Sequence, residues 1–403
     1  MDTAVSPTST RARTPAEDPH ALLRLLLAGG AAAPRRRLLA THGSATAAIA
    51  AGADAWHAAG LDAGQHAALH RAGGAEMTAA TAWLARPGHH LIGCNDPDYP
   101  PLLRDAPGAP LGLFIAGDPS LLWHPMVAVV GSRNPSAAGR EHATAFSHAF
   151  VRAGLGIASG LALGIDACAH TAALEAGAPT IAVLGCGPDI AYPGANAPLQ
   201  ARIAGQGAVV SEFPPGTRPL REHFPARNRI VAALSLGTLV VEAALRSGAL
   251  ITARLAAEAG REVFAIPGSL HNPMARGCHR LIREGAALVE SPEEVIGALD
   301  PIAQVLAHAL HGRLHGPTSC AEPPSAAPGV DPEREDPDYN RLWAALGHDP
   351  TDMDRLASRT GLTMAEVSSM LLLMELEGRV LVEHGRYSRI SATKRPRGAG
   401  RGK

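Results

Sequence analysis

The chain is nearly without lysine. Only Lys394 and Lys403 occur in 403 residues, so nearly every fixed positive charge is an arginine. A GC-rich coding bias explains such a composition without any appeal to function, so arginine abundance alone identifies no partner. Net charge is −1, which removes a global field for polyanions and leaves only local patches. The five cysteines, Cys94, Cys168, Cys186, Cys278 and Cys320, form no CxxC pair and show no zinc-type histidine spacing. No metal site is therefore expected, and a reducing, cytoplasmic compartment fits. No apolar run approaches the ~18 residues of a membrane span. The opening "MDTAVSPTSTRARTPAEDPH" lacks an apolar signal core and reads as a loose leader. Neither G-x-x-x-x-G-K-[ST] nor G-x-G-x-x-G occurs, which excludes a P-loop ATPase and argues against a dinucleotide coenzyme. No cofactor is expected.

An apolar fraction of 46% is enough for a sizeable core. After the leader at 1–19, residues 20–95 are rich in Ala and His with helical periodicity, which predicts a small all-helical domain. A Pro-rich connector follows and ends in a short apolar strand. Across 100–300, "MVAVVGS", "GLGIASG", "TIAVLGC", "GAVVSEF", "GTLVVEA", "EVFAIPG" and "AALVES" alternate with helical segments at 138–153, 165–176, 196–204, 226–235, 249–260 and 277–284. Near-continuous apolar strands between helices predict an α/β fold, a Rossmann-like doubly wound, mostly parallel sheet. A Pro/Ala/acidic stretch at 301–337 reads as a flexible linker. Residues 338–392 read as three helices and two short strands, a winged-helix outline, before a basic tail at 393–403. Its third helix opens on Thr363 and Glu366, a capping-box pair. That helix also carries Glu375 and Glu377, which argues against duplex reading, while Arg386 and Arg389 leave a weak DNA contact open.

Ligands of open α/β sheets collect where strands end and helix N-termini begin. Gly131, Ser132 and Arg133 follow the first core strand, and Ser159 and Gly160 follow the second. "HFPARNRIVAALS" (223–235) then places Phe224, Arg227, Asn228 and Arg229 at a helix start, with Arg218 and Arg221 just upstream and Glu222 as the nearest acid in sequence. Cations at this helix end oppose its dipole, and an anion lying across it would compensate. Several arginines and turn amides on one groove suit a chain of phosphates, and Phe224 could stack on an unpaired base. The bland alternatives are an Arg133 salt bridge to Glu141 or Asp166, a core Phe224, and loop-anchoring roles for Asp166 and Tyr192.

"VAVVGSRNPSAAG", "IASGLALGIDACAH", "TIAVLGCGPDIAYPGAN", "EFPPGTRPLREHFPARNRIVAALS" and "GCHRLIREGA" together resemble the DNA-processing protein A family (DprA, also called Smf) over about 100–295. The resemblance implies a single-stranded-DNA-binding protein, not an enzyme, that protects incoming DNA and loads the RecA recombinase during natural transformation. It also implies a homodimer through the Rossmann-like core. By this resemblance Arg133 meets a phosphate with Ser132 and Gly131 shaping its turn, Ser159 and Gly160 form a second turn, and Arg227, Asn228 and Arg229 complete the site near Phe224. The sequence departs from the family pattern at Ala249 and His279. Two rivals remain. "SLGTLVVEAA" resembles the "GGxGTxxE" motif of Rossmann-like nucleotide phosphoribohydrolases, with Gly237, Thr238 and Glu242 matching but Leu236 in place of a glycine. The other is a recombination scaffold without DNA binding.

Overall fold

In the computed structural model, residues 18–71, 73–314, 337–346, 351–376, 380–383 and 386–389 are described. They fall in two units, Met1–Gly316 and Pro317–Lys403. The first begins with six helices: α1 (Pro19–Leu27), α2 (Ala32–His42), α3 (Ala45–Ala50), α4 (Gly52–Ala58), α5 (Ala63–His70) and α6 (Ala75–Leu84). Leu22, Leu25, Leu38, Leu39, Trp56 and Leu69 form their shared core. Asp62 and Gln65 close a reciprocal capping box on α5.

The elements then run β1 (His89–Gly93), α7 (Pro101–Arg104), β2 (Gly112–Gly117), β3 (Met126–Val130), α8 (Ala137–Arg152), β4 (Gly156–Ser159), α9 (Ile165–Glu175), β5 (Thr180–Leu184), α10 (Ala197–Gln206) and β6 (Ala208–Ser211). They continue with α11 (His223–Leu234), β7 (Gly237–Val240), α12 (Gly248–Glu258), β8 (Glu262–Ala265), α13 (Arg276–Arg283), β9 (Ala287–Leu288) and α14 (Pro292–Leu314). Among the described residues, nine strands make one sheet in the order β1-β2-β6-β5-β4-β3-β7-β8-β9. β3 to β9 pair in parallel, while β2 joins β6 and β1 joins β2 antiparallel. Alternate residues of each strand serve opposite faces. Ala128, Val130, Val183 and Val240 pack with Ile230, Val231 and Leu234 of α11. Val127, Val129, Ile157 and Leu239 pack with Phe146 and Phe150 of α8 and Ile165 of α9.

Both faces are covered, as the seven apolar segments require. Three boundaries differ from the sequence expectation. Residues 89–93 belong to the sheet rather than the helical unit, because β1 pairs along β2 from His89 to Gly93. α14 carries helix through 301–314, the first part of the expected linker; the remainder to 336, the leader through 17 and the tail lie outside the described residues. The helix expected at 226–235 starts three residues earlier, at His223.

The second unit contains α15 (Pro337–Ala345), β10 (Thr351–Asp352), α16 (Met353–Thr360), α17 (Met364–Leu376), β11 (Val380–Glu383) and β12 (Arg386–Arg389). Its three strands pair antiparallel in the order β10-β12-β11. Tyr339, Leu342, Leu356, Val367 and Leu371 form a small core. This is a winged helix. Thr363 N–H donates to Glu366 Oε2 at 2.8 Å, while Glu366 N–H lies 3.4 Å from Thr363 Oγ1. Glu377 lies outside the described residues.

Candidate nucleic-acid interface

The strand order reverses direction between β3 and β7, and crevices of open sheets form at such a switch point. An open groove of about 670 Å³ lies there, bounded by the loops after β3, β4 and β7 and by the first turns of α11 and α12. Arg133, Arg221, Arg227 and Arg246 line it against one acid, Asp166. Gly131, Gly160, Phe224 and Asn228 line it as well. Six of the nine expected residues therefore meet in one place: Gly131, Arg133, Gly160, Phe224, Arg227 and Asn228.

Arg227 is the buried floor of this groove, only 4% exposed. It sits in the second turn of α11 rather than at its opening, so the dipole argument drawn from the sequence does not apply to it. Its Nη1 donates to the Val183 carbonyl of β5. Its guanidinium lies against Gly160, where a Cβ would overlap it. Gly131 is required for a similar reason, since a Cβ there would press on Ile165 and the Glu242 carbonyl.

Asp166, in the first turn of α9, accepts from the Gly160 and Ala162 N–H groups, both at 3.2 Å. Burial raises its pKa, and the neighbouring Arg227 charge pulls it back down. Burial also lowers the Arg227 pKa to about 10, with Asp166 opposing the shift and Arg133 adding to it. The guanidinium therefore remains charged at neutral pH. Asp166 is a loop anchor, as one reading of the sequence had it.

Arg133 is exposed on the groove wall and pairs with neither Glu141 nor Asp166 among the described residues. Phe224 is half-buried, 5.2 Å from the ring of Tyr192 with the planes tilted by 35°. Tyr192 is 43% exposed and also lines the groove. Asn228 Nδ2 lies 3.5 Å from the Gly248 carbonyl at the start of α12.

Three expected residues lie elsewhere. Arg229 leaves the other side of α11 and forms an ion pair with Glu212, its Nη2 lying 2.5 Å from Oε2 and its Nη1 2.9 Å from Oε1. The acid that matters to it stands seventeen positions back, not at Glu222. Ser159 is fully buried and donates to the Val129 carbonyl at 2.6 Å, tying β4 to β3. Ser132 is 7% exposed; its Oγ accepts from the Asn134 N–H at 3.1 Å, which shapes the turn behind Arg133.

Arg246, Arg221 and Tyr192 join the groove without having been assigned to it. Arg246 carried a readable signal, an arginine between the end of β7 and the Ser247–Gly248 start of α12.

Glu242 is 7% exposed, and its carboxylate is spent on local structure. It accepts from the Ser136 N–H at 2.9 Å, the Ser136 hydroxyl at 2.6 Å and Asn272 Nδ2 at 3.2 Å. Leu236 is fully buried where the hydrolase motif has a glycine. His279 uses Nε2 to hold the Gly268 carbonyl at 2.9 Å. Among the described residues, no group of three His, Cys, Asp or Glu could hold a metal, and no helix is long and apolar enough to cross a membrane.

Fold and site together define a Rossmann-like α/β protein with a winged-helix unit, whose switch-point crevice holds an arginine cluster and no coenzyme fingerprint. Residues 90–300 match the family model of DNA recombination-mediator protein A, and residues 321–386 match the DprA winged helix domain. The chain is 41% identical to Protein Smf of Escherichia coli over 315 residues, which is 78% of this chain and 81% of that protein. It is 49% identical over 205 residues to DNA processing protein DprA of Streptococcus pneumoniae, covering 51% of this chain and 72% of that one. The X-ray structure of the pneumococcal protein superposes with a TM-score of 0.63 at 37% identity, covering 70% of this chain and 98% of that chain. The chain belongs to the DNA recombination-mediator protein A family, the DprA/Smf proteins.

Proposed function

We propose that the groove binds single-stranded DNA, and that the protein shields incoming strands and passes them to the RecA recombinase during natural transformation. In this reading it acts in the cytoplasm as a homodimer through the Rossmann-like core, without a cofactor and without catalysing a reaction. One observation carries the DNA part: four arginines and an aromatic pair share a groove that contains a single acid. Such a surface attracts successive phosphates while leaving ring faces for unpaired bases. The Glu242 carboxylate, tied to Ser136 and Asn272, gives no support to the phosphoribohydrolase alternative.

Filter binding of a labelled single strand at about 50 and about 200 mM salt tests this. Contacts to three or four phosphates predict an affinity loss on the order of 10- to 50-fold across that range. Arg133→Ala should weaken binding about tenfold or more, with thermal stability unchanged to within ~0.5 kcal/mol because the side chain is exposed and unpaired. Unchanged affinity and a flat salt response would remove the groove as a DNA site. Adding RecA to strands already bound by the protein tests the second part, which fails if filament growth is no faster than on strands without it.

A further inference from the structure

The groove is open on its α12 side. Arg246, Ser247 and Ile251 line it and also line a second trough, of about 550 Å³, between α12 and α13. On the α12 side, Leu250, Arg254 and Ala257 recur at the spacing of one helix face, and Arg261 follows beyond the end of the helix. Arg280 and Leu281 of α13 line the opposite wall.

Arg254 and Arg280 keep 70% and 53% of their side-chain surface open. Each is paired one turn onward, to Glu258 at 3.4 Å and to Glu284 at 2.8 Å. An arginine preceding its glutamate is the less favourable order on a helix, and both pairs stand in water. A phosphate can therefore compete for either guanidinium at small cost. Leu245, 48% exposed, stands beside Arg246 on the same wall.

We propose that an unpaired strand seated in the groove continues past Arg246 into this trough, where Arg254 and Arg280 take its next phosphates. The inference rests on the groove reading above. Continuity argues for it, because the two depressions meet at Arg246, Ser247 and Ile251, a border that carries a cation and no acid. Charge argues for it as well: Arg246, Arg254 and Arg280 line the trough against Glu262 and Glu284, while Arg261 is held at the Leu102 carbonyl at 2.9 Å. Arg246 stands just before α12, and Arg254 lies six residues into the helix from Gly248, about 9 Å of rise, which gives the strand a short continuation rather than a second full site. Leu245 and Leu250 offer apolar contact for sugars or bases between the cations.

Anisotropy titrations of the full chain with oligothymidylates of about 6 and about 15 nucleotides separate the two depressions, since single-strand sites span such lengths. The double variant Arg254→Ala/Arg280→Ala should bind the short strand within about twofold of the unsubstituted protein and lose fivefold or more on the long one. Its log–log salt slope on the long strand should fall by about 1.4, two phosphates at ~0.7 each. An undiminished preference for the long strand overturns the proposal. So does unchanged DNA binding with altered sedimentation, which would make the trough a contact between copies. Arg133→Ala serves as the second arm and should weaken both lengths. If it weakens neither, the groove reading itself fails, whatever the double variant does.

Discussion

Arg227 and Arg229 leave α11 about 200° apart, two residues at ~100° each, and enter unlike surroundings. On the Arg227 side lies the groove, where arginines outnumber acids and the rim is open. On the Arg229 side Glu212 supplies a carboxylate at 2.5 Å, next to a cavity of about 780 Å³ between the helical unit and the sheet. Arg35, lining that cavity, is itself consumed by the carbonyls of Leu25, Leu26 and Gly30. The same residue type is structural where an acid or several carbonyls consume it, as at Arg229 and Arg35, and open where neither does, as at Arg133. Arg227 combines the two, anchored on the Val183 carbonyl while its side chain still floors the groove. Adjacency in a motif is no guide to which fate follows.

The contrast can be broken at several points. Arg227→Ala should have the largest effect, because it leaves Asp166 buried without its cation and Val183 without a donor. Urea unfolding should show a loss of about 3 kcal/mol, together with loss of strand binding. A loss below ~0.5 kcal/mol would show that the buried guanidinium carries no stability.

Beneath the groove, His170 is wholly buried with Nδ1 2.7 Å from Thr180 Oγ1. Burial, and then Arg227, lowers its pKa to about 3. The unfolded chain takes up that proton near pH ~6.5, so the native state binds fewer protons between the two values. Stability from this group is complete above pH ~6.5 and drains as pH falls toward ~3, on the order of a few kcal/mol. Unfolding free energies at successive pH values should show this slope, and His170→Asn should flatten it.

Phe224→Ala should cost ~1–3 kcal/mol of strand affinity, the value of one stacked base. No change would assign that ring to packing alone. The smallest effect belongs to Arg229→Ala. It should lower stability by ~1 kcal/mol or less and change strand affinity less than twofold. A loss equal to that of Arg133→Ala would return Arg229 to the strand's path.

The strands from β3 to β7 were readable because each is a short apolar run closed by turn residues and buried on both faces. β8 and β9, at the sheet edge, were readable from the same apolar runs although β9 is exposed. β1 was not, because "HHLIG" begins with two histidines and only Ile92 and Gly93 are buried. It becomes a strand through its partner β2. In the site, Gly131, Arg133, Gly160, Phe224, Arg227 and Asn228 were legible as glycine-turn and arginine motifs at strand ends. Ser159 and Ser132 were legible as turn residues, but not the direction of their hydroxyls. Tyr192 had been read as an anchor; its place beside Phe224 depends on a loop thirty residues away.

The sequence by itself determined the alternation of strand and helix, the parallel sheet and the edge at which its loops gather. Those follow from hydrophobic period and turn chemistry, which act over a few neighbouring residues. Only the tertiary structure decided which arginines remain open to a ligand. That choice depends on the angular step of a helix and on whether a distant segment, such as Glu212 beside Arg229, brings a carboxylate to the guanidinium.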